Sequence, residues 1–271
     1  MTPSEKTINI LGFHTATLTR NEILDLVKRW IIRHDACHHL MALNPIKVCR
    51  ARKEPDLALH IHEAELVYPD AYGIAWAMRR FSKKKYKPIP GCDLMLDILR
   101  LAAENQFAIY LVGASQDILE KTRDLFLSHY PNLAITGIRN GYFKNQTEKI
   151  TAAKEVVSAK PDIVFVAMGA KIQEDLIKLI RMEARQQGTS IPLLMGVGGS
   201  FDAVTNNVPR PPRWMLNMHL EWLFRLLQQP FRAPRMMALP KFALLTLGKK
   251  YLKLNVDSKT GYDFYQNLIL E

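Results

Sequence analysis

The sequence predicts an α/β protein: a doubly wound, mainly parallel, Rossmann-like sheet with a basic, helical C-terminal appendage. Three observations predict it. From about residue 105, short apolar runs alternate with stretches of helical periodicity. Glycines fall where those apolar runs end. Residues 207–253 then break the pattern, with prolines at 209, 211 and 212 and a strong excess of positive charge.

Each element can be justified in order. INILGF (8–13) and HHLMALN (38–44) read as strands. PIKVCRARKE (45–54) opens a helix, because Pro45 suits the first helical position. ELVYPD (65–70) is a short strand running into a turn, and residues 71–81 and 92–105 have helical periodicity. FAIYLVGA (107–114) has the apolar run and glycine stop of a buried parallel strand. Residues 115–130 form a helix that places Ile118, Leu119, Leu125 and Phe126 on one face, with Ser115 as its N-cap. LAITGIR (133–139) is a strand, GYF (141–143) a loop, and residues 147–159 a helix capped by Thr147. DIVFVAMGA (162–170) and IPLLMGVGG (191–199) are strands on either side of a helix over 173–187.

No Gly-, Ser- or Pro-rich linker divides residues 1–206, which read as one α/β core; residues 207–271 form the appendage. Within it, residues 214–229 carry two apolar stripes. Leu216, Leu220, Leu223 and Leu227 make one, and Trp214, Met218, Trp222 and Leu226 the other. A helix apolar on two sides has to bury both. Truncation after about residue 206 is expected to leave a folded core.

Composition narrows the function. Of 271 residues, 48% are hydrophobic and 23% charged, which excludes a disordered chain. Cys37, Cys49 and Cys92 are scattered, which excludes a disulfide scaffold. The net charge of +11 favours an anionic partner: nucleic acid, an acidic lipid surface or a phosphorylated substrate. The excess is local, with +8 over residues 207–253 and +5 over residues 1–206. The N-terminus lacks the pattern of a signal peptide, and no stretch approaches the length of a transmembrane helix. The expected place is the cytoplasm, resting on a membrane surface.

Ligands of open parallel sheets bind beyond the carboxyl ends of the strands. Those ends supply Asn44, Asp70, Gly113, Gly141 with Tyr142, Gly169, and the pair Gly198–Gly199. Glycine there either closes a tight turn or lets a phosphate approach the backbone. Asp70 ends a strand and is either a general base for a hydroxyl nucleophile or the N-cap of helix 71–81. Asp202 either binds a sugar hydroxyl or caps a helix. Gln173 and Glu174 open a helix, where they reach a bound sugar or simply occupy its first turn. His34 and His38 are spaced for a metal but precede a strand, so they lie at its amino end. His60 and His62 fall on different faces of a helix. There is no GxGxxG after the first strand, no P-loop motif and no Asp-x-Asp. No metal and no cofactor are expected.

Taken together, NPIKVCRARKEPDLALHIHEAELVYPDAYGIAWAMR, GCDL, YLVGAS, GYF, VAMGAKIQE, GVGGSFD and PRPPRWMLNMHLEWLFRLLQQPFR resemble, in order and spacing, the WecG/TagA/CpsF glycosyltransferases. The resemblance runs from about residue 38 to 235. It implies an inverting, metal-independent transfer of an N-acetylmannosamine-type sugar from a UDP-sugar to an undecaprenyl-diphosphate-linked sugar. The implied place is the inner face of the cytoplasmic membrane. By resemblance, Asp70 matches the base, Asn44 a cleft-lining residue and Gln173 a residue near the transferred sugar. Tyr142 and Asp202 match positions that hold the nucleotide. Where many members carry Arg three residues before the Gly of GCDL, this chain has Pro88, and Lys87 is the neighbouring cation. Arg210, Arg213 and Arg225 are available for the charge on departing UDP. Two other readings stand beside this one. One is an inactive homologue that scaffolds a polysaccharide assembly complex. The other is a nucleic-acid-binding protein using Trp214, Trp222 and Phe231 among the late cations; the helical spacing of the tryptophans argues against it.

Overall fold

The computed structural model describes residues 6–205, the isolated positions 212, 215, 218 and 230, helix 221–228 and residues 233–252. Its centre is a six-stranded, fully parallel sheet. The strands are β3 (His38–Leu43), β4 (Leu66–Pro69), β5 (Ile109–Gly113), β6 (Ile135–Arg139), β7 (Ile163–Ala167) and β8 (Leu193–Gly196). They lie in the order β4-β3-β8-β7-β5-β6. The inner runs IYLVG in β5, IVFVA in β7 and LLMG in β8 are buried at every position. Continuous apolar sequence is what a strand covered on both faces requires.

Helices cover both faces. On one side α1 (Arg20–Arg33), α5 (Gly91–Asn105), α6 (Gln116–His129) and α9 (Ser200–Val204) pack through Ile23, Trp30, Leu94, Ile98, Phe126 and Phe201. On the other lie α2 (Pro45–Ala51), α3 (Pro55–Glu63), α4 (Tyr72–Ser82), α7 (Gln146–Ser158) and α8 (Ile172–Gln186). Pro45 begins α2, as its residue type demands.

Three local expectations are corrected. Residues 8–13 do not form a strand of the main sheet. They contribute to a separate antiparallel hairpin, β1 (Thr7–Ile10) with β2 (Phe13–Ala16). Leu11 and Gly12, at φ 54 and 102 degrees, make its two-residue turn, and such turns match the twist of the paired strands. The Thr15 hydroxyl donates to Val67 O at 3.2 Å, so the hairpin lies against edge strand β4. Helix α1 was not anticipated, although Thr19 and Glu22 form a reciprocal capping box ahead of Ile23, Val27, Trp30 and Ile31. Helix α7 is capped by Asn145, whose side chain accepts from Glu148 N at 2.9 Å, and not by Thr147.

The C-terminal segment does not stand apart along its whole length. Beyond α10 (Glu221–Gln228) and the short α11 (Ala233–Met236), helix α12 (Ala238–Tyr251) returns to α2 and α4. Phe242 enters the same core cluster as Ile10, Phe13, Val48 and Met78. The stripe residues Trp222 and Leu227 are 42% and 68% exposed; Trp214, Leu216 and Leu220 lie outside the described residues.

Candidate active site

The carboxyl ends of β3, β4, β7 and β8 carry a connected polar group. Asn44 follows β3 and caps α2, its side chain accepting from Lys47 N at 2.9 Å. Lys47 turns inward, and its ammonium lies 2.8 Å from Glu174 Oε1. Gln173 Nε2 donates to the same oxygen at 3.1 Å, and Gln173 Oε1 accepts from Gly198 N at 3.0 Å. His39 Nε2 lies 3.0 Å from the other oxygen, Glu174 Oε2. One buried carboxylate therefore ties β3, the start of α8 and the turn after β8 together. Burial raises the proton affinity of Glu174, but the Lys47 charge and the His39 contact outweigh it and hold the carboxyl well below its usual range.

This arrangement changes the reading of Gln173. Its side chain is 4% exposed, and its amide is engaged on both sides. It shapes the Gly198 turn from behind. A Cβ at Gly196 would meet Gln173 Nε2 at 2.4 Å, so the small residue in β8 makes room for it. Lys171, the residue before α8, holds φ 72 and ψ −55 degrees, unusual for a residue with a side chain. Backbone strain of this kind concentrates at functional sites.

Asp70 stands beside this group. Its backbone N–H donates to Leu43 O at 3.0 Å, which sets it next to Asn44. Its Oδ1 accepts from Gly91 N at 2.7 Å. The N-cap of α4 is Ala71, with no side-chain cap bond, so Asp70 does not cap the helix that follows it. It meets the N-terminus of α5, across the cleft, where the helix dipole favours a carboxylate. The Tyr68 hydroxyl adjoins this spot: a Cβ on Gly91 would lie 3.0 Å from it and 3.2 Å from Asp70 Oδ1. That hydroxyl is buried and has no hydrogen-bond partner among the described residues. Burial, and then the Asp70 charge, push its pKa well above the ordinary phenol range. Sequence reasoning missed Tyr68; the period of two along β4 puts it on the face of Asp70.

A second group lies at the carboxyl ends of β5, β6 and β7. Connections from β5 and β7 leave in opposite directions, the switch point at which doubly wound sheets open a crevice. Gly113 has φ 120 degrees, and a Cβ there would strike Ala167 O at 2.3 Å, so backbone packing alone requires glycine. Gly141 N–H donates to Ala114 O at 2.9 Å. Tyr142 is 75% exposed beside it. At Gly169, Gly198 and Gly199 an added Cβ would meet open space. Asp202 is half-buried in the first turn of α9.

The other named residues are spread. Lys87 is exposed in the loop between α4 and α5. Arg210 and Arg213 lie outside the described residues; Arg225 is in α10, its side chain also outside them. His34 and His38 sit at the amino edge of the sheet, bonded to Ser190 O and Pro192 O at 3.1 Å each. His60 pairs with Asp175 at 2.9 Å. A cavity of about 660 Å³ also opens toward the amino edge, lined by Cys37, His39, His60, Glu174, Arg181 and Ser190. Its mouth lies at the end opposite Asp70, and its lining includes His39 and Glu174, which it shares with the polar group of the strand-end site.

The fold and site define a doubly wound α/β protein whose acid, amide and glycine turns converge on the carboxyl edge of the sheet. Residues 8–255 match the model of the glycosyl transferase WecG/TagA/CpsF family, and the chain belongs to that family. It is a glycosyltransferase. Over 242 residues it is 31% identical to an N-acetylglucosaminyldiphosphoundecaprenol N-acetyl-beta-D-mannosaminyltransferase of Bacillus subtilis (strain 168), covering 89% of this chain and 91% of that protein. Its identity to the Bacillus spizizenii protein of the same description is 29%, covering 89% and 90%.

Proposed function

We propose that this glycosyltransferase moves an N-acetylmannosamine-type sugar from a UDP-sugar to a sugar carried on undecaprenyl diphosphate, with inversion and without a catalytic metal. The observation that carries the reading is the near-full-length likeness to two enzymes named for that acceptor and that sugar. The site is compatible with it. Asp70 removes the proton of the acceptor hydroxyl as the oxygen attacks the anomeric carbon and the bond to UDP breaks. General-base help of this kind contributes roughly 10²–10⁴-fold. The bond from Gly91 orients the carboxylate, and a carboxylate has lone pairs for more than one donor. In this reading Asn44 lines the acceptor side, and Gln173 positions the Gly198–Gly199 turn. Gly113, Gly141, Tyr142, Gly169 and Asp202 hold the nucleotide, while Lys87, Arg210, Arg213 and Arg225 supply positive charge for departing UDP.

The proposed place is the inner membrane surface, where a lipid-borne acceptor like that named for the relatives is met; no described helix is long and apolar enough to cross a membrane. The test is release of UDP from a panel of UDP-sugars, with and without an N-acetylglucosaminyl-diphospho-lipid analogue. Acceptor-dependent release from the N-acetylmannosamine donor is expected. Release that ignores the acceptor, or none with any donor, would overturn the reading.

A further inference from the structure

The loop between α4 and α5 carries more charge than the proposed reaction uses, which calls on Lys87 alone. Residues 79–92 contain six cations, Arg79, Arg80, Lys83, Lys84, Lys85 and Lys87, and no Asp or Glu. The C-terminal end of α12 adds two more at the same place. Lys250 Nζ donates to Arg80 O at 2.5 Å, Arg80 Nη1 donates to Tyr251 Oη at 3.0 Å, and Lys249 Nζ stands 5.5 Å from the Phe81 ring centroid. Cations in the last turns of α4 and α12 suit the helix dipoles. Lys84, Lys85 and Lys87 lie beyond the last turn, exposed, and that account does not reach them.

Apolar surface adjoins these charges. On α12 and just after it, Leu244, Tyr251 and Leu252 are 71%, 59% and 70% exposed. Basic side chains interleaved with exposed Leu and Tyr suit a lipid interface, where the apolar groups bury as the cations meet headgroups. A free phosphate site would gather donors around one point, and here the cations are spread over a loop and two helix ends. We infer that this composite patch, Arg79–Lys87 with the end of α12, docks the protein on an anionic membrane surface. The α/β core thus takes part in the contact as well as the appendage. The patch also leads directly to the site: after Lys87 the chain returns to β4, with Ile89 N donating to Pro69 O at 2.7 Å and Gly91 N to Asp70. A lipid-borne acceptor held at the patch is delivered beside the base.

This inference rests on the proposed reading only for that delivery; docking itself needs no sugar. The test compares the full chain with K84Q/K85Q, and with K121Q/K154Q as a control of equal charge loss elsewhere. Binding is measured to vesicles of phosphatidylglycerol and phosphatidylcholine at low salt. Each lysine near such a surface strengthens binding by roughly fivefold, so K84Q/K85Q is expected to bind about 25-fold more weakly. The control is expected to bind as the parent does, and parent binding to weaken as salt rises. UDP release with a water-soluble, short-chain acceptor is expected to be unchanged in K84Q/K85Q. Equal vesicle binding by parent and K84Q/K85Q would overturn the inference. So would an equal loss in the control, loss of transfer with vesicle binding intact, or tighter retention on a single-stranded oligonucleotide than on the vesicles.

Discussion

At the scale of single residues, the proposed mechanism gives two carboxylates different work. Asp70 is oriented by an amide of a helix that is not its own, so its replacement can separate chemistry from structure. Asp70→Asn keeps an oxygen to accept from Gly91 but no longer takes a proton. Transfer is expected to fall by at least ~10²-fold, with UDP binding, by calorimetry, and thermal midpoint close to the parent. Near-normal turnover would leave Asp70 with only its place at α5. Glu174 is the structural counterpart, fully buried between Lys47 and His39. Glu174→Gln strands the Lys47 ammonium and is expected to cost about 3–5 kcal/mol in denaturant unfolding, as breaking a buried pair does. The pH dependence follows from its lowered pKa. Its contribution is complete above the unfolded carboxyl value of about 4.3 and is lost as pH falls below that toward the lower folded value. Stability measured between about pH 5 and 3 should therefore fall less steeply in Glu174→Gln than in the parent. The strand-end positions Asn44 and Asp70 were legible in the sequence because an apolar run stops there. The network behind them was not: Lys47 and Glu174 are 127 residues apart, and no local pattern announces a pairing across that distance.

At the scale of elements, legibility followed burial. Strands β5 and β7 announce themselves because both faces are covered, and their helices follow by periodicity. INILGF is as apolar as a core strand, yet it joins a hairpin, because which sheet a strand enters depends on partners and not on its own residues. Helix α12 shows the same limit. Its proline and lysines suggest an appendage, whereas Phe242 and Thr246 are buried against the core. Phe242→Ala is expected to cost about 3–5 kcal/mol, read by chemical denaturation. Truncation after residue 206 is accordingly expected to lower the unfolding midpoint rather than leave an intact core; an unchanged midpoint would show that α12 adds nothing to stability.

At the scale of the whole molecule, the sheet gathers the proposed acceptor side at β3 and β4 and the proposed nucleotide side at β5 and β7, with β8 between them. Reading strand ends was enough to put the residues of both proposed sides on one edge, because a parallel sheet puts all its carboxyl ends there. The proposed chemistry needs no divalent ion at that edge, since helix N-termini and guanidinium groups take up the charge of the leaving group. Full turnover in excess EDTA is expected; activity lost to EDTA and restored by Mn²⁺ would reveal a metal in the mechanism.

The strand order also bears on how the chain comes off the ribosome. Strands β3 and β4 reach the rest of the sheet only through β8, and the stretch from the end of β3 at Leu43 to the end of β8 at Gly196 must be synthesised first. At about 5–20 residues per second, that interval is on the order of 8–30 s. Throughout it the first two parallel strands have one partner each and an open apolar side, shielded in part by the β1–β2 hairpin. Stalled nascent chains ending before residue 190 should thus be cleaved rapidly by protease within β3 and β4, and chains long enough for β8 to clear the exit tunnel should resist. The last strand to be completed is the one that closes the middle of the sheet.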